Sequence, residues 1–256
     1  MEIKLKNTNV KLLKDKKRNT TLVVIMPEYY WHKHLEINNM GSYKIKGTDT
    51  LLISYIKRKF NIVKLAKEIK KVIIKMNYKY KRIILVGKSK GGIVLQYLLK
   101  KLDERYYERA VAVSVPYKGT VFASPKELER ILKRKGRMGS LFFKNYIRIY
   151  EGGKPDIMIR KRSKELIEIN KNIIFNSKFE NYILKSNLKN FILDLLRLDF
   201  ESSFLFILDK YLGVNGDGIV EMKSQMIKNR KVNNIFLYGT HKSAYRRVMK
   251  IVLRDT

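Results

Sequence analysis

Apolar residues recur along this chain in two periods, and their alternation outlines the fold. Thr20 to Met26 (TTLVVIM) and Lys81 to Gly87 (KRIILVG) are short, nearly uninterrupted apolar runs of the length of buried strands. Asn9 to Leu13, Leu51 to Ile56, Arg109 to Val115 (RAVAVSV), Ser203 to Leu208 (SFLFIL) and Asn233 to Tyr238 (NNIFLY) are further strand candidates, and the polar turn DKKRN parts the first strand from the second. Between them lie helical patterns. From an Asn61 cap, Ile62, Leu65, Ala66, Ile69, Val72, Ile73 and Met76 fall on one helix face, and the lysines take the other. A second helix follows the KRIILVG strand, and a terminal helix is expected from Ser243. Strands alternating with helices imply right-handed crossovers and a mostly parallel sheet, hence an α/β fold with helices on both faces.

The alternation stops between Pro116 and about Ser202. Turn signals stand at Gly136, Gly139 and Gly152-Gly153, and helical patterns cover Lys164 to Asn170 and Asn187 to Leu198. We read residues 121–202 as a helical cap or lid inserted in a single domain spanning 1–256. Its stretch MGSLFFKNYIRIY (Met138 to Tyr150) mixes Leu, Phe142, Phe143 and Tyr146 with Lys and Arg, as a cover over an apolar pocket facing anionic lipid would. An ordinary insertion packed on the core accounts for the same spacing.

The chain has 256 residues, 45% of them hydrophobic, enough for one α/β domain with a sizeable core. It has no cysteine, which excludes disulfides, thiolate chemistry and Cys-based zinc sites and suits a cytoplasmic home. The basic start lacks a signal-peptide apolar core, and no run approaches a membrane span, so a soluble, unprocessed protein is expected. The formal charge of +33 invites nucleic acid or an anionic membrane as partner. The lysines are spread through every segment without a nucleic-acid-binding motif, so specific nucleic-acid binding is not expected. A proteome-wide compositional bias explains that evenness; peripheral contact with an anionic membrane surface is the other reading.

The chemistry gathers at GKSKGG (Gly87 to Gly92). Ser89 stands between Gly87 and Gly91 at a strand-to-helix turn, a G-x-S-x-G elbow sharp enough that positions two before and two after the serine must lack side chains. Gly92 then lets the helix lie close to the strand. The elbow lifts the serine hydroxyl above the sheet edge and aims the N–H of Lys90 where an oxyanion would form. A phosphate-binding G-x-x-x-x-G-K-S loop is ruled out, because its first glycine would be Arg82 and its loop would occupy an apolar strand. A plain glycine-rich turn with an idle serine remains the competing reading.

A serine hydroxyl needs a base and an acid that orients it. Of three histidines, His241 follows the last strand in GTHKS, and Asp217 lies in the GDGIV loop before it. Asp209 is the alternative acid and Glu221 a third; a turn aspartate and a surface histidine are the bland readings of Asp217 and His241. His32 and His34 lie in an aromatic segment (Glu28, Tyr29, Tyr30, Trp31) that either walls a pocket or folds over the core, and nothing supplies a third metal ligand at familiar spacing.

Taken together, GKSKGG, VPYKGT (115–120), KPDIMIRKRSKELIEIN (154–170), GDGIV (216–220) and GTH (239–241) resemble the lipase and esterase branch of the α/β-hydrolases. They are similar to its G-H-S-x-G-G, T-P-H-x-G-S, cap-region, N-D-G-x-V and final-histidine motifs, in the same order. The resemblance implies the α/β-hydrolase fold with a cap, a Ser89, Asp217, His241 triad in the family's order, and hydrolysis of lipid or acyl esters through an acyl-enzyme. It implies no cofactor and no metal. Two positions depart from the pattern: Lys88 stands where histidine is usual, and Met26-Pro27 where His-Gly is usual. Glu28 would then align with the second oxyanion donor, its carboxylate turned away from the anion. A catalytically silent binding protein of the same fold is the alternative that the second departure raises.

Overall fold

A computed structural model describes residues 2–4, 8–15, 19–27, 45–55, 62–149, 163–171, 175–196, 200–213, 215–217, 219–229, 231–241 and 248–252. Its strands are β1 (Glu2–Lys4), β2 (Thr8–Leu13), β3 (Thr21–Met26), β4 (Asp49–Tyr55), β5 (Arg82–Lys88), β6 (Arg109–Val113), β7 (Phe179–Lys185) and β8 (Asn233–Tyr238). They form one sheet in the order β1-β2-β4-β3-β5-β6-β7-β8. Pairing is antiparallel for β1 with β2 and β2 with β4, then parallel from β4 through β3, β5 and β6 to β7. The mostly parallel sheet expected of an α/β fold is therefore present. β4 lies between β2 and β3, so these two successive strands are not partners.

The helices include α1 (Ile62–Asn77), α2 (Lys90–Leu99), α3 (Pro125–Lys133), α4 (Gly136–Ile149), α5 (Lys164–Asn170), α6 (Leu188–Leu196), α7 (Phe200–Leu212) and α8 (Met222–Gln225). The seven α1 residues that the 3.6-residue period assigns to one face are the seven that are buried. Asn61, read as its cap, lies outside the described residues, as do residues 242–247 at the expected start of the terminal helix; residues 248–252 are helical. Among the described residues no helix is long and apolar enough to cross a membrane.

The structure departs from the sequence reading in two places. Ser203 to Leu208 is not a strand but the middle of α7, and β7 lies inside the 121–202 stretch read as an insertion. A six-residue apolar run does not distinguish a buried strand from a buried helix by period, and the flanks decide. Extended to Leu212, the run places Phe204, Leu208, Tyr211 and Leu212 at helical spacing, all packed in one cluster. In β7, FENYILK, the polar Asn181 is fully buried and hides the strand pattern; its amide donates to Asn234 Oδ1 at 2.8 Å.

The chain forms two compact units. The first comprises Met1–Val115, Asn172–Tyr182 and Ile227–Ile235; the second comprises Pro116–Lys171, Ile183–Met226 and Phe236–Thr256. In the first, β3, β5 and β6 are almost wholly buried, with Leu22 to Met26, Ile84 to Val86 and Ala110 to Val113 at 0% exposure. The second has its own core, where Val121, Phe122, Leu128, Leu132, Tyr146 and Leu208 meet and Phe142 and Phe143 pack against them.

Candidate active site

Ser89 lies in the first unit, between β5 and α2. Its backbone has φ 51° and ψ −123°, a conformation that costs an L-residue on the order of 1–3 kcal/mol and persists only when the surroundings enforce it. They do so on several sides. The Ser89 N–H donates to the Val113 carbonyl at 2.9 Å, and the Gly92 N–H donates to the Ser89 carbonyl at 3.0 Å. A methyl group at Gly91 would lie 1.9 Å from the Met26 carbonyl oxygen, and one at Gly87 would lie 2.6 Å from Gly92 Cα. One at Gly92 would lie 2.0 Å from Val115 Cγ2, so this glycine makes room for the segment just past β6. All three glycines are steric requirements of the turn.

Lys90 is the first residue of α2, where the N–H groups of a helix point out along its axis at the positive end of its dipole. That is suitable chemistry for holding an oxyanion. Lys88 and Lys90, on either side of Ser89, are only 2% and 1% exposed. Glu28, expected as the second oxyanion residue, lies outside the described residues together with Trp31, His32 and His34.

Asp217 and His241 lie in the second unit and are joined. Asp217 Oδ2 is 2.7 Å from His241 Nδ1, with the side chains 0% and 5% exposed. The other oxygen, Oδ1, accepts the N–H groups of Ile219 at 3.0 Å and Val220 at 2.8 Å. The backbones are tied too, His241 N–H donating to the Asp217 carbonyl at 3.0 Å. Two backbone N–H donors on Oδ1 mark the carboxyl as an acceptor, and an acceptor facing Nδ1 favours the tautomer with its hydrogen there, which in the neutral imidazole leaves the lone pair on Nε2. A histidine so held is oriented to take a proton.

Asp209, the alternative acid, has a different task. It is 1% exposed on α7, and its two oxygens receive the Gly216 N–H at 3.0 and 3.3 Å. Burial pushes its carboxyl up to about 6, against the pull of the Gly216 N–H and Lys210. It therefore braces the turn that carries Asp217. Ser186 braces the same turn, donating to the Gly216 carbonyl through N–H at 2.8 Å and Oγ at 3.1 Å. Glu221, the third candidate acid, accepts the Val121 N–H at 3.1 Å. Sequence reasoning missed Ser186, which the unrecognised β7 positions.

Motif stretches far apart in sequence converge within this unit. Thr120 Oγ1 donates to the Ile219 carbonyl at 2.7 Å, Ser224 Oγ donates to the Gly119 carbonyl at 2.6 Å, and the Asn170 amide donates to the Tyr117 carbonyl. Thus PYKGT, the end of α5 and the GDGIV loop are hydrogen-bonded together. Ser163 caps α5 by accepting the Leu166 N–H at 3.1 Å. The earlier part of the 154–170 motif lies outside the described residues.

No family model matches the chain, and no curated protein matches it. Solved structures do. The mature lipase of Bacillus licheniformis is 16% identical with a TM-score of 0.56, over 95% of this chain and 97% of that one. A metagenomic carboxyl esterase is 16% identical with a TM-score of 0.52, over 88% and 65%. A thermophilic esterase is 12% identical with a TM-score of 0.50, over 100% and 97%. At these identities the likeness shows the fold, and this fold is that of the α/β-hydrolases.

Proposed function

We propose that this chain, on its α/β-hydrolase fold, is a serine hydrolase of carboxylic esters, with lipid or acyl esters as substrates. The observation that carries the reading is Ser89 held at φ 51° at a strand-to-helix junction, where a serine without a task would have been free to be glycine. The Asp217 and His241 pair supplies the chemistry a serine nucleophile requires. In the proposed reaction Ser89 Oγ attacks the ester carbonyl while His241 Nε2 takes the hydroxyl proton. The carbonyl oxygen becomes an anion received by the Lys90 N–H, and the carbon–oxygen bond then breaks as the imidazolium returns the proton to the leaving alcohol. Water, deprotonated by the same nitrogen, releases the acyl group as a carboxylic acid. Asp217 keeps the hydrogen on Nδ1 and stabilises the imidazolium in both halves.

In this reading Glu28 contributes its backbone N–H as the second oxyanion donor, and the helices of the 121–202 stretch act as the cap that selects the acyl group. The reaction calls for no cofactor and no metal, and we place it in the cytoplasm. A fluorophosphonate probe, located by peptide mass spectrometry, tests the central point. Labelling on Ser89 that vanishes in Ser89→Ala, with hydrolysis of p-nitrophenyl esters vanishing in parallel, is the expected result. A protein that binds such esters but neither labels nor turns over is a silent binding protein, and the proposal fails.

A further inference from the structure

The chain leaves the sheet after β7, runs through α6 and α7, and returns at Gly216, where Ser186 holds the two ends together through its N–H and Oγ. Phe191 of α6 stacks on Phe206 of α7 with ring centroids 4.9 Å apart, so one side of α6 is packed. The opposite side is open to water. Leu188, Ile192, Leu193 and Leu196 are 64%, 46%, 38% and 75% exposed, more large apolar side chains than any other element exposes among the described residues. At 100° per residue Leu188, Ile192 and Leu196 form one ridge about 80° wide, with Leu193 on one flank and the packed Phe191 on the other.

The charge of this stretch is unlike that of the rest of the chain. Residues 188–212 contain three Lys or Arg against four Asp or Glu, a net −1, in a chain that carries +33. In contrast α4 has three cations and no acid, and its Phe142 and Phe143, read from the sequence as a lipid-facing pair, pack inward on the core of the second unit. Two copies of so basic a chain repel wherever their lysines meet, so a face that they share has to be one nearly without them. An anionic bilayer or a nucleic acid calls instead for several cations beside the contact, and α6 has one, Lys189.

We propose that the exposed side of α6 is a homodimer interface, through which two copies of this chain meet across a two-fold axis with their α6 helices antiparallel. The ridge is self-complementary. With the axis at Ile192, that residue meets its own copy, and Leu188 meets Leu196 of the second copy. Rows of residues four apart are the ones that most often interdigitate between packed helices. The same arrangement sets Lys189 beside the C-terminal end of the second copy's α6, the end of a helix dipole that favours a cation. The inference stands apart from the proposed ester hydrolysis, because its readout is mass.

The test is sedimentation equilibrium of the full, nuclease-treated chain. A monomer–dimer equilibrium in the micromolar range is expected, and it should tighten severalfold as salt rises from about 0.05 to about 0.5 M, since salt screens the repulsion between copies and leaves apolar burial in place. Leu188→Gln, Ile192→Gln and Leu196→Gln combined should weaken dimerisation at least about a hundredfold, each substitution counting twice across the axis. Met138→Gln, Leu141→Gln and Ile147→Gln on α4, exposed side chains like those of α6, should change it by no more than about twofold. A chain that stays monomeric, whether or not it sediments with phosphatidylcholine vesicles, a dimer that weakens with salt, or an equal loss in the α4 variant overturns the proposal. Because the chain has no cysteine, single-cysteine variants and a short bis-maleimide read the register. Ile192→Cys should cross-link to its own copy, and Leu188→Cys should cross-link to Leu196→Cys in a mixture but poorly to itself. Cross-linking through Met138→Cys and not through Ile192→Cys overturns the assigned surface.

Discussion

Replacing Asp209 by asparagine should stabilise the protein at neutral pH and leave the proposed active site working. The carboxyl is 1% exposed, and burial raises it from the ordinary 3.8 to about 6. A carboxyl so raised favours the folded state while protonated and loses that contribution as pH climbs through the window from about 4 to about 6. The full displacement is worth about 3 kcal/mol, and roughly 2 kcal/mol of it falls between pH 4.5 and 7. The amide of the substituted side chain would keep an oxygen for the Gly216 N–H, which Asp209 now holds at 3.0 Å, and would carry no charge to desolvate. The difference in unfolding free energy between Asp209→Asn and wild type should therefore grow in the variant's favour by roughly 2 kcal/mol from pH 4.5 to 7 and level off above. Urea unfolding followed by far-UV circular dichroism at half-unit pH steps measures it. A difference that stays flat, or turns against asparagine as pH rises, would show that the ionised carboxylate is needed and refute the reasoning.

Three further outcomes follow from the site. Asp217→Asn should lower kcat for a soluble ester by roughly 10³- to 10⁴-fold with little change in KM, since an amide can leave the imidazole in the wrong tautomer; Asp209→Asn should stay within a few-fold, and the reverse ranking would reassign the acid. Ser89→Gly should be more stable than Ser89→Ala by about 1 kcal/mol, both being inactive, because glycine alone relieves a φ of 51°; equal melting temperatures would argue against strain at the elbow. Gly91→Ala should abolish soluble folded protein, with its methyl 1.9 Å from the Met26 carbonyl, whereas Gly136→Ala, at φ 80° with open space around it, should cost about 1 kcal/mol; comparable expression and melting of the two would contradict the packing described.

How much of this was legible beforehand depended on the range of the forces involved. The elbow could be read from six letters because its requirement is local: a reversal this tight excludes Cβ atoms at Gly87, Gly91 and Gly92. The buried side of α1 and the extent of α5 were equally legible, since a 3.6-residue period is imposed by the backbone itself. Whether SFLFIL is strand or helix was not, because either buries it and only its neighbours along α7 decide. Asp209 and Asp217 are alike in sequence, each a carboxylate near a turn. They are told apart by their partners, Gly216, 7 residues on, for one and His241, 24 residues on, for the other. The direction of Phe142 is set the same way, by Tyr211 and Phe204 across the cluster, which leaves Met138, Leu141 and Ile147 to face outward. Sequence alone determined the strand-to-helix alternation from β3 to β6 and the shape of the serine turn, through sterics and periodicity acting over a few residues. Tertiary structure decided between the two candidate acids, by the contact of Asp217 with His241, and decided which apolar side chains face water, because both choices rest on contacts between residues tens of positions apart.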